Sequence, residues 1–318
     1  MRVLVTGADG FVGRHLCRFL DEAGDLVFPM CGIARPDGPA GARAAVVDVR
    51  DAQAVQAAVA AARPDAIVHL AAISHVVQSH AEPTATFQIN TLGALNVCLA
   101  AKVSASRPRV LLVSSGEVYG AVAAGELATE DTPFSPVSPY AASKIAAEMI
   151  GSQFARSYGM PVVRARPFNH LGAGQASTFA IPSLARQVNE ARKSASRATI
   201  WVGDLDPIRD FSHVRDVVAA YRLLLERGVS GEAYNVCSGK ERSIRSVLDE
   251  LVELAAVSVD VKVDPSKLRA ADIPRLVGSA AKLRALGWEP RLTVRDALQD
   301  LLDEPAPRRD RSERHAID

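Results

Sequence analysis

The chain is predicted to form a doubly wound α/β fold, a parallel sheet covered by helices on both faces, with a smaller C-terminal substrate lobe. Three observations carry this expectation. Short runs of Val, Ile and Leu alternate with longer Ala-rich segments of helical period. The apolar runs show little in–out alternation, as strands buried on both faces do. A glycine-rich turn joins the first run to the first helical segment.

The strand candidates in order are "RVLVTG" (Arg2 to Gly7), "LVFPMCGI" (Leu26 to Ile33), "AAVVDV" (Ala44 to Val49), "AIVHLAA" (Ala66 to Ala72), "RVLLVSS" (Arg109 to Ser115) and "PVVRAR" (Pro161 to Arg166). Between them the helical period predicts helices over Gly13 to Ala23, Ala52 to Ala62, Thr84 to Ser104 and Tyr140 to Tyr158. Strand–helix–strand alternation of this kind implies right-handed parallel crossovers. Past residue 168 the rhythm loosens into "NHLGAGQAS" and "VGDLDPIRDFS", then returns at "DVVAAYRLLLERG" and "AYNVCSG". The expected division is a dinucleotide-binding domain over 1–167 and 213–237, a substrate lobe over 168–212 and 238–304, and a mobile tail over 305–318, where both charges mix with proline.

At 318 residues, with 48% hydrophobic residues, the chain can bury a large core, and two lobes are expected. A formal net charge of +1 removes the electrostatic case for nucleic acid or an anionic membrane as partner. The apolar run at the start is too short for a signal-peptide core, and no stretch approaches the roughly 20 apolar residues of a membrane helix. Cys17, Cys31, Cys98 and Cys237 are widely spaced, form no metal-ligand pattern and suit reduced thiols in a cytoplasmic protein. No metal is expected.

In "TGADGFVGRHL", Gly7, Gly10 and Gly13 recur at intervals of three where a strand gives way to a helix. Gly7 suits a tight turn, Gly10 a close backbone approach to pyrophosphate, and Gly13 close helix–sheet packing, with the helix N-terminus facing the phosphates. The spacing is GxxGxxG rather than GxGxxG, so position between strand and helix carries the reading. Where NAD binders place an acid after the second strand, "CGIARPDG" offers Arg35, which suits the 2′-phosphate of NADP(H). Asp37 nearby keeps NAD(H) in play. Asp48, in "VVDV", is a candidate for the adenine edge or for the cap of the helix beginning near Asp51.

"PYAASK" puts Tyr140 and Lys144 four residues apart, on one helical face. An ammonium beside a phenol is expected to lower the phenol's pKa and make it a proton donor and acceptor near neutral pH. Upstream, "SSGEVYG" (Ser114 to Gly120) plants hydroxyls and a carboxylate at a strand end.

The glycine loop, "SSGEVYG" and "PYAASK", in this order and rough spacing, resemble the short-chain dehydrogenase/reductase family in its extended, nucleotide-sugar-modifying branch. The resemblance implies a Rossmann-type fold and catalysis by Ser115, Tyr140 and Lys144, with Lys144 also holding the nicotinamide ribose. It implies cofactor contacts at Phe11 and Val12 in the glycine loop, at Val49 beside Asp48, and at Leu70, Ala71 and Ala72 in "HLAA", where His69 itself reads as a satisfied core histidine. Asn90 is expected near the active-site edge. Homodimers built on the helix carrying Tyr140 are usual in the family.

Within the branch, "RPFNHLGAGQ", "FAIPSLARQV", "VGDLDPIRDFSHVRDVVAAY", "YNVCSG" and "LRAADIPRLVGS" are most similar to reductases that act on a GDP-linked 4-keto-6-deoxy sugar. A diphosphate sugar needs cations, and Arg209 and Arg269 sit in segments read as loops, with Arg186 a third candidate. Asp272 suits ribose hydroxyls and Asn169 phosphate or sugar. The related glucose-type 4,6-dehydratases read Thr-Asp-Glu where this chain has Ser115, Gly116 and Glu117, so Glu117 matches a base while Gly116 supplies no acid. Mannose-type dehydratases carry serine there and still eliminate water. Three readings follow: a 4-ketoreductase in which Glu117 is a substrate contact, a dehydratase or epimerase with recycled cofactor, and a catalytically silent nucleotide-sensing or scaffold protein on the same fold.

Overall fold

The computed structural model describes residues 1–32, 44–193, 197–268 and 273–304. Seven parallel strands form the central sheet: β1 (Arg2–Thr6), β2 (Leu26–Cys31), β3 (Ala45–Val46), β4 (Ala66–His69), β5 (Arg109–Val113), β6 (Val162–Pro167) and β10 (Ala233–Val236), in the order β10-β6-β5-β4-β1-β2-β3. The order reverses between β1 and β4, which opens a crevice beyond their carboxyl ends. Strand centres such as Val3, Val5, Ile67, Val68, Val110 and Leu111 are fully buried, as parallel strands covered on both faces must be. One apolar cluster lies between the sheet and the Phe11–Glu22 and Val214–Arg227 helices. The other lies under the Ala52–Ala62, Gly93–Val103 and Pro139–Tyr158 helices.

The remaining strands lie off this sheet. β7 (Asn169–Leu171) and β13 (Arg275–Leu276) pair in parallel with β9 (Ile208–His213), and β11 (Glu241–Ser243) pairs antiparallel with it. β8 (Ala198–Val202) and β12 (Val259–Val263) form a parallel pair. The helices Ala180–Ala191, Ile244–Ala255 and Val294–Asp303 close a third apolar cluster, around Ile181, Val188, Ile200, Leu251 and Leu298. The segment expected to be a mobile tail, 305–318, lies outside the described residues.

Several boundaries differ from expectation for local reasons. "HLAA" leaves the sheet at His69, because the backbone N–H groups of Leu70 and Ala71 turn to the Thr6 hydroxyl at 3.1 and 3.2 Å. The first helix begins at Phe11, capped by Gly10. The single helix expected over Thr84 to Ser104 is three pieces, with a wide turn over Gln88–Leu92 between Pro83–Phe87 and Gly93–Val103. That turn presents Asn90 to the core, where its Oδ1 accepts from Ile73 N at 2.8 Å and its Nδ2 donates to the Ser143 hydroxyl at 2.9 Å. Wide turns inside helices recur at functional sites. Here one ties the crevice edge to the helix that carries Tyr140.

Candidate active site

The glycine loop closes by direct contact between backbones. Gly7 has φ +67°, and a Cβ there would stand 2.8 Å from Ala71 N. A Cβ on Gly13 would overlap Gly7 O. All three predicted glycines therefore sit in the cradle, with the free N–H groups of the Phe11 helix above it. Phe11 stacks on His170 at 6.0 Å between ring centroids, and Val12 packs partly buried beside it. Leu70, Ala71 and Ala72 form the facing turn.

Where β4 ends, the Thr6 hydroxyl accepts two N–H groups and so gives its own proton to His69 Nδ1, 2.8 Å away. The ring proton is left on Nε2, which is buried and has no partner, as is the Ser114 hydroxyl at the end of β5. Burial, helped by the charge of Lys144, holds the His69 pKa down at about 3, so the ring is neutral. The expectation of a satisfied core histidine is met on one nitrogen only. A glycine cradle at a helix N-terminus and orphaned polar atoms at the switch point fit a nicotinamide dinucleotide.

Arg35 and Asp37 lie outside the described residues. Asp48 is half exposed and bound to Arg50, whose Nη2 is 2.5 Å from its carboxylate; that hydrogen bond, chiefly, holds its pKa below the ordinary range. It does not cap the next helix: Asp51 does, accepting from Gln53 N and Ala54 N at 3.0 Å. The cap falls to Asp51 because it stands immediately before the first helical residue. Val49 is buried, and its side chain fills the space a Cβ on Gly93 would need, near His69.

The helix Pro139–Tyr158 starts at Ser138, whose hydroxyl accepts from Ala141 N, and runs past the end of β5. It brings Tyr140 and Lys144 to Ser115, and all three are buried. The Ser115 side chain faces the Tyr140 hydroxyl, and its Oγ accepts from Glu117 N at 3.2 Å. Lys144 Nζ donates to Val113 O at 2.9 Å. Burial, with the charge of Glu117 behind it and the Ser115 side chain against it, pushes the Tyr140 phenol above its ordinary pKa. This corrects the expectation of a lowered value, since the Lys144 ammonium donates to the β5 carbonyl and desolvation dominates the phenol. Burial lowers Lys144 to about 8. The phenol is held protonated beside a lysine close to its own titration.

Gly116 is closed rather than merely bare. A Cβ built on it would meet the Phe168 ring at 2.9 Å, and one on Gly278 would overlap the same ring. Gly278 is placed by Asp210, a buried carboxylate that also accepts from Ser238 N, Ser238 Oγ and Gly239 N at 2.6–2.8 Å. Sequence reading named neither Phe168 nor Asp210, although both lie inside the phrases it quoted.

The predicted substrate contacts divide. Glu117 is half-buried beside Tyr140 and Asn169 is exposed at the start of β7. Arg209 is not in a loop: it lies in β9, between Arg242 of β11 and Leu276 of β13, with Nη1 donating to Ile208 O at 3.0 Å. The short β11 and β13 complete a small sheet around it, and such two- and three-residue ladders leave no readable period. Arg186 is exposed and paired with Glu190 at 3.2 Å. It lines a groove with Ser183, Gln187, Trp201, Asp264 and Lys267. An exposed Trp201 beside two cations was a signal in composition that sequence reading passed over. Arg269 and Asp272 lie outside the described residues.

The chain is similar to known proteins over nearly its whole length. Residues 4–301 match the family model described as GDP-mannose 4,6 dehydratase. The chain is 37% identical, over 95% of its length and 96% of the other, to a GDP-6-deoxy-D-mannose reductase of Pseudomonas aeruginosa. Among solved structures it resembles RMD from Pseudomonas aeruginosa complexed with NADPH, with TM-score 0.83 at 37% identity over 94% of this chain and 95% of that one. It also resembles the UDP-glucose 4-epimerase of Thermus thermophilus in complex with NAD, with TM-score 0.86 at 33% identity over 95% and 98%.

Proposed function

The chain belongs to the GDP-mannose 4,6-dehydratase family of extended short-chain dehydrogenases/reductases, and from that premise we propose that it reduces the 4-keto group of GDP-4-keto-6-deoxy-D-mannose to give GDP-D-rhamnose. It is an NAD(P)-dependent oxidoreductase. The observation that carries reduction over glucose-type water elimination is the Phe168 ring packed against Gly116, where the elimination acid would stand; against the mannose type, the 37% identity to the reductase, compared with 26% to a GDP-mannose 4,6-dehydratase, supports reduction. A ketone reduction needs no acid at that place.

The cradle of Gly7, Gly10 and Gly13, with Phe11, Val12, Leu70 and Ala71, holds the dinucleotide, and Ala72 and Val49 flank it. NADP(H) is favoured, in keeping with the NADPH of the Pseudomonas structure; the epimerase with NAD keeps NAD(H) as the second candidate. Bound there, the reduced nicotinamide supplies a hydride to carbon 4. Ser115 and Tyr140 hydrogen-bond the ketone oxygen, and Tyr140, protonated in its buried setting, delivers the proton. The Lys144 ammonium then stabilises the phenolate. Glu117 contacts a sugar hydroxyl. Arg186, with Trp201 and Lys267 in the groove and Arg209 in β9, receives the nucleotide half.

A second copy of the chain is the expected partner. Leu99 and Val103 on one helix and Met149 and Tyr158 on the next are exposed apolar side chains, and Phe87 and Leu92 extend the same face. That area supports a homodimer built on the catalytic helix. The four cysteines are free and buried, which supports a reducing, cytoplasmic setting. Among the described residues no helix is long and apolar enough to cross a membrane.

The test uses purified protein with GDP-mannose, alone and with an established 4,6-dehydratase, following NADPH absorbance and product mass. NADPH consumption only when the ketone is supplied supports the proposal. Loss of water from GDP-mannose by this protein alone would overturn it.

A further inference from the structure

We infer that Glu148 is a positioning residue for this chemistry: its buried carboxylate, clamped by Arg166, keeps the Lys144 ammonium charged behind Tyr140. Tyr140, Lys144 and Glu148 recur at intervals of four on one helix and so share a face. Glu148 is 1% exposed and Lys144 5%. The carboxylate has no freedom to turn away. Arg166 Nε donates to both of its oxygens, at 2.9 and 3.1 Å, Arg166 Nη2 donates at 2.9 Å, and Arg164 Nη1 lies 3.6 Å off. Arg166 is itself fixed, since its Nη1 donates to the Tyr119 hydroxyl at 2.7 Å and to Glu130 O at 3.0 Å. The Tyr119 hydroxyl passes its proton to Asn235 Oδ1 at 2.7 Å, and Asn235 Nδ2 holds Ala128 O and Ser279 O. The helix that carries the catalytic pair is thereby tied through β6 and β10 to the segments that flank Gly278.

The groups that face the Tyr140–Lys144 pair are Glu148 on its own helix, neutral His69 from β4, Glu117 from the turn after β5, Tyr221 from the Val214–Arg227 helix, and Arg164 and Arg166 from β6 behind Glu148. Of the carboxylates, Glu148 alone is fully buried with the lysine. A buried ammonium sheds its proton easily, and burial has already brought Lys144 down to about 8; the charge of Glu148 opposes that loss. Pairing with Arg166 alone would not require a place one turn beyond Lys144.

The experiment compares the wild type with Glu148→Gln and with Glu148→Gln/Arg166→Met, which removes both charges of the pair and leaves no buried guanidinium unpaired. Lysine side-chain NMR of the unliganded protein, with Lys144 assigned by its loss in Lys144→Arg, reads its titration without substrate. The inference expects the midpoint to fall by about one pH unit in Glu148→Gln, where the carboxylate is lost and the cations stay, and to fall by less in the double variant, where a guanidinium leaves with it. The kinetic readout alone rests on the ketone-reduction proposal: NADPH oxidation at pH 8 relative to pH 6 should drop about fivefold further than in the wild type, with KM unchanged. A folded Glu148→Gln whose Lys144 titrates as in the wild type overturns the inference, and so does a double variant whose midpoint rises. A wild type that oxidises no NADPH with the 4-keto sugar overturns the proposed reaction instead, and the titration still decides the role of Glu148.

Discussion

On the sheet side of the crevice the glycine loop, Ser115, Tyr140 and Lys144 are fixed by backbone contacts or buried hydrogen bonds, whereas on the lobe side Arg186, Trp201 and Lys267 are exposed around an open groove. The sheet side tolerates no added atom at Gly7 or Gly13 and no rotation at Lys144. The lobe side holds its charges in surface pairs such as Arg186–Glu190, which can exchange for a ligand at little cost. The difference agrees with the roles we propose for the two sides: hydride chemistry demands fixed geometry, while nucleotide capture must also release.

Perturbing the sheet side should therefore cost far more than perturbing the groove. Tyr140→Phe removes the proton donor, and kcat should fall by about 10²- to 10⁴-fold while NADPH affinity, followed by fluorescence, stays unchanged. Full activity in that variant would remove Tyr140 from its role. Gly13→Ala drives a methyl into Gly7 O, so the loop must move. A destabilisation of about 1–3 kcal/mol is expected in chemical denaturation, together with weakened NADPH binding.

Raising the pH separates rate from stability at Lys144. Its pKa is lowered to about 8 from 10.5, so the ammonium is lost as pH climbs through 8 and turnover should fall about tenfold by pH 9. The unfolded chain keeps that proton up to about 10.5, so the native state binds fewer protons in this window. Stability contributed by this group should therefore rise with pH over the same interval. A rate that holds level to pH 10 would show that the lysine charge is not used. The smallest effect belongs to the groove: Arg186→Ala should leave stability within about 0.5 kcal/mol and raise KM for the GDP-sugar severalfold. A melting shift as large as that of Gly13→Ala would erase the distinction between the two sides.

Much of the sheet side was legible in the chain itself. A Gly7–Gly10–Gly13 spacing and a Tyr140–Lys144 interval report local geometry, because turns and helical faces are set by neighbours a few residues away. The lobe side was harder, since Arg209 sits in a patch assembled from β9, β11 and β13, which are far apart in sequence. The π-type turn at Asn90 was hidden for a similar reason: its side chain is satisfied by Ile73 and Ser143, not by its own helix.

By itself the sequence determined the parallel doubly wound sheet and the glycine turn between β1 and the Phe11 helix, because each is written in short-range spacing or in unbroken apolar runs; Ser115, Tyr140 and Lys144 were read from the family resemblance beside the Tyr140–Lys144 interval. Only the tertiary structure decided that Phe168 closes the space at Gly116, that burial rather than Lys144 governs the Tyr140 phenol, and that Glu148 and Arg166 stand behind the lysine. Those facts depend on which side chains share a desolvated volume, and desolvation is a property of packing, to which distant segments contribute as much as neighbours do.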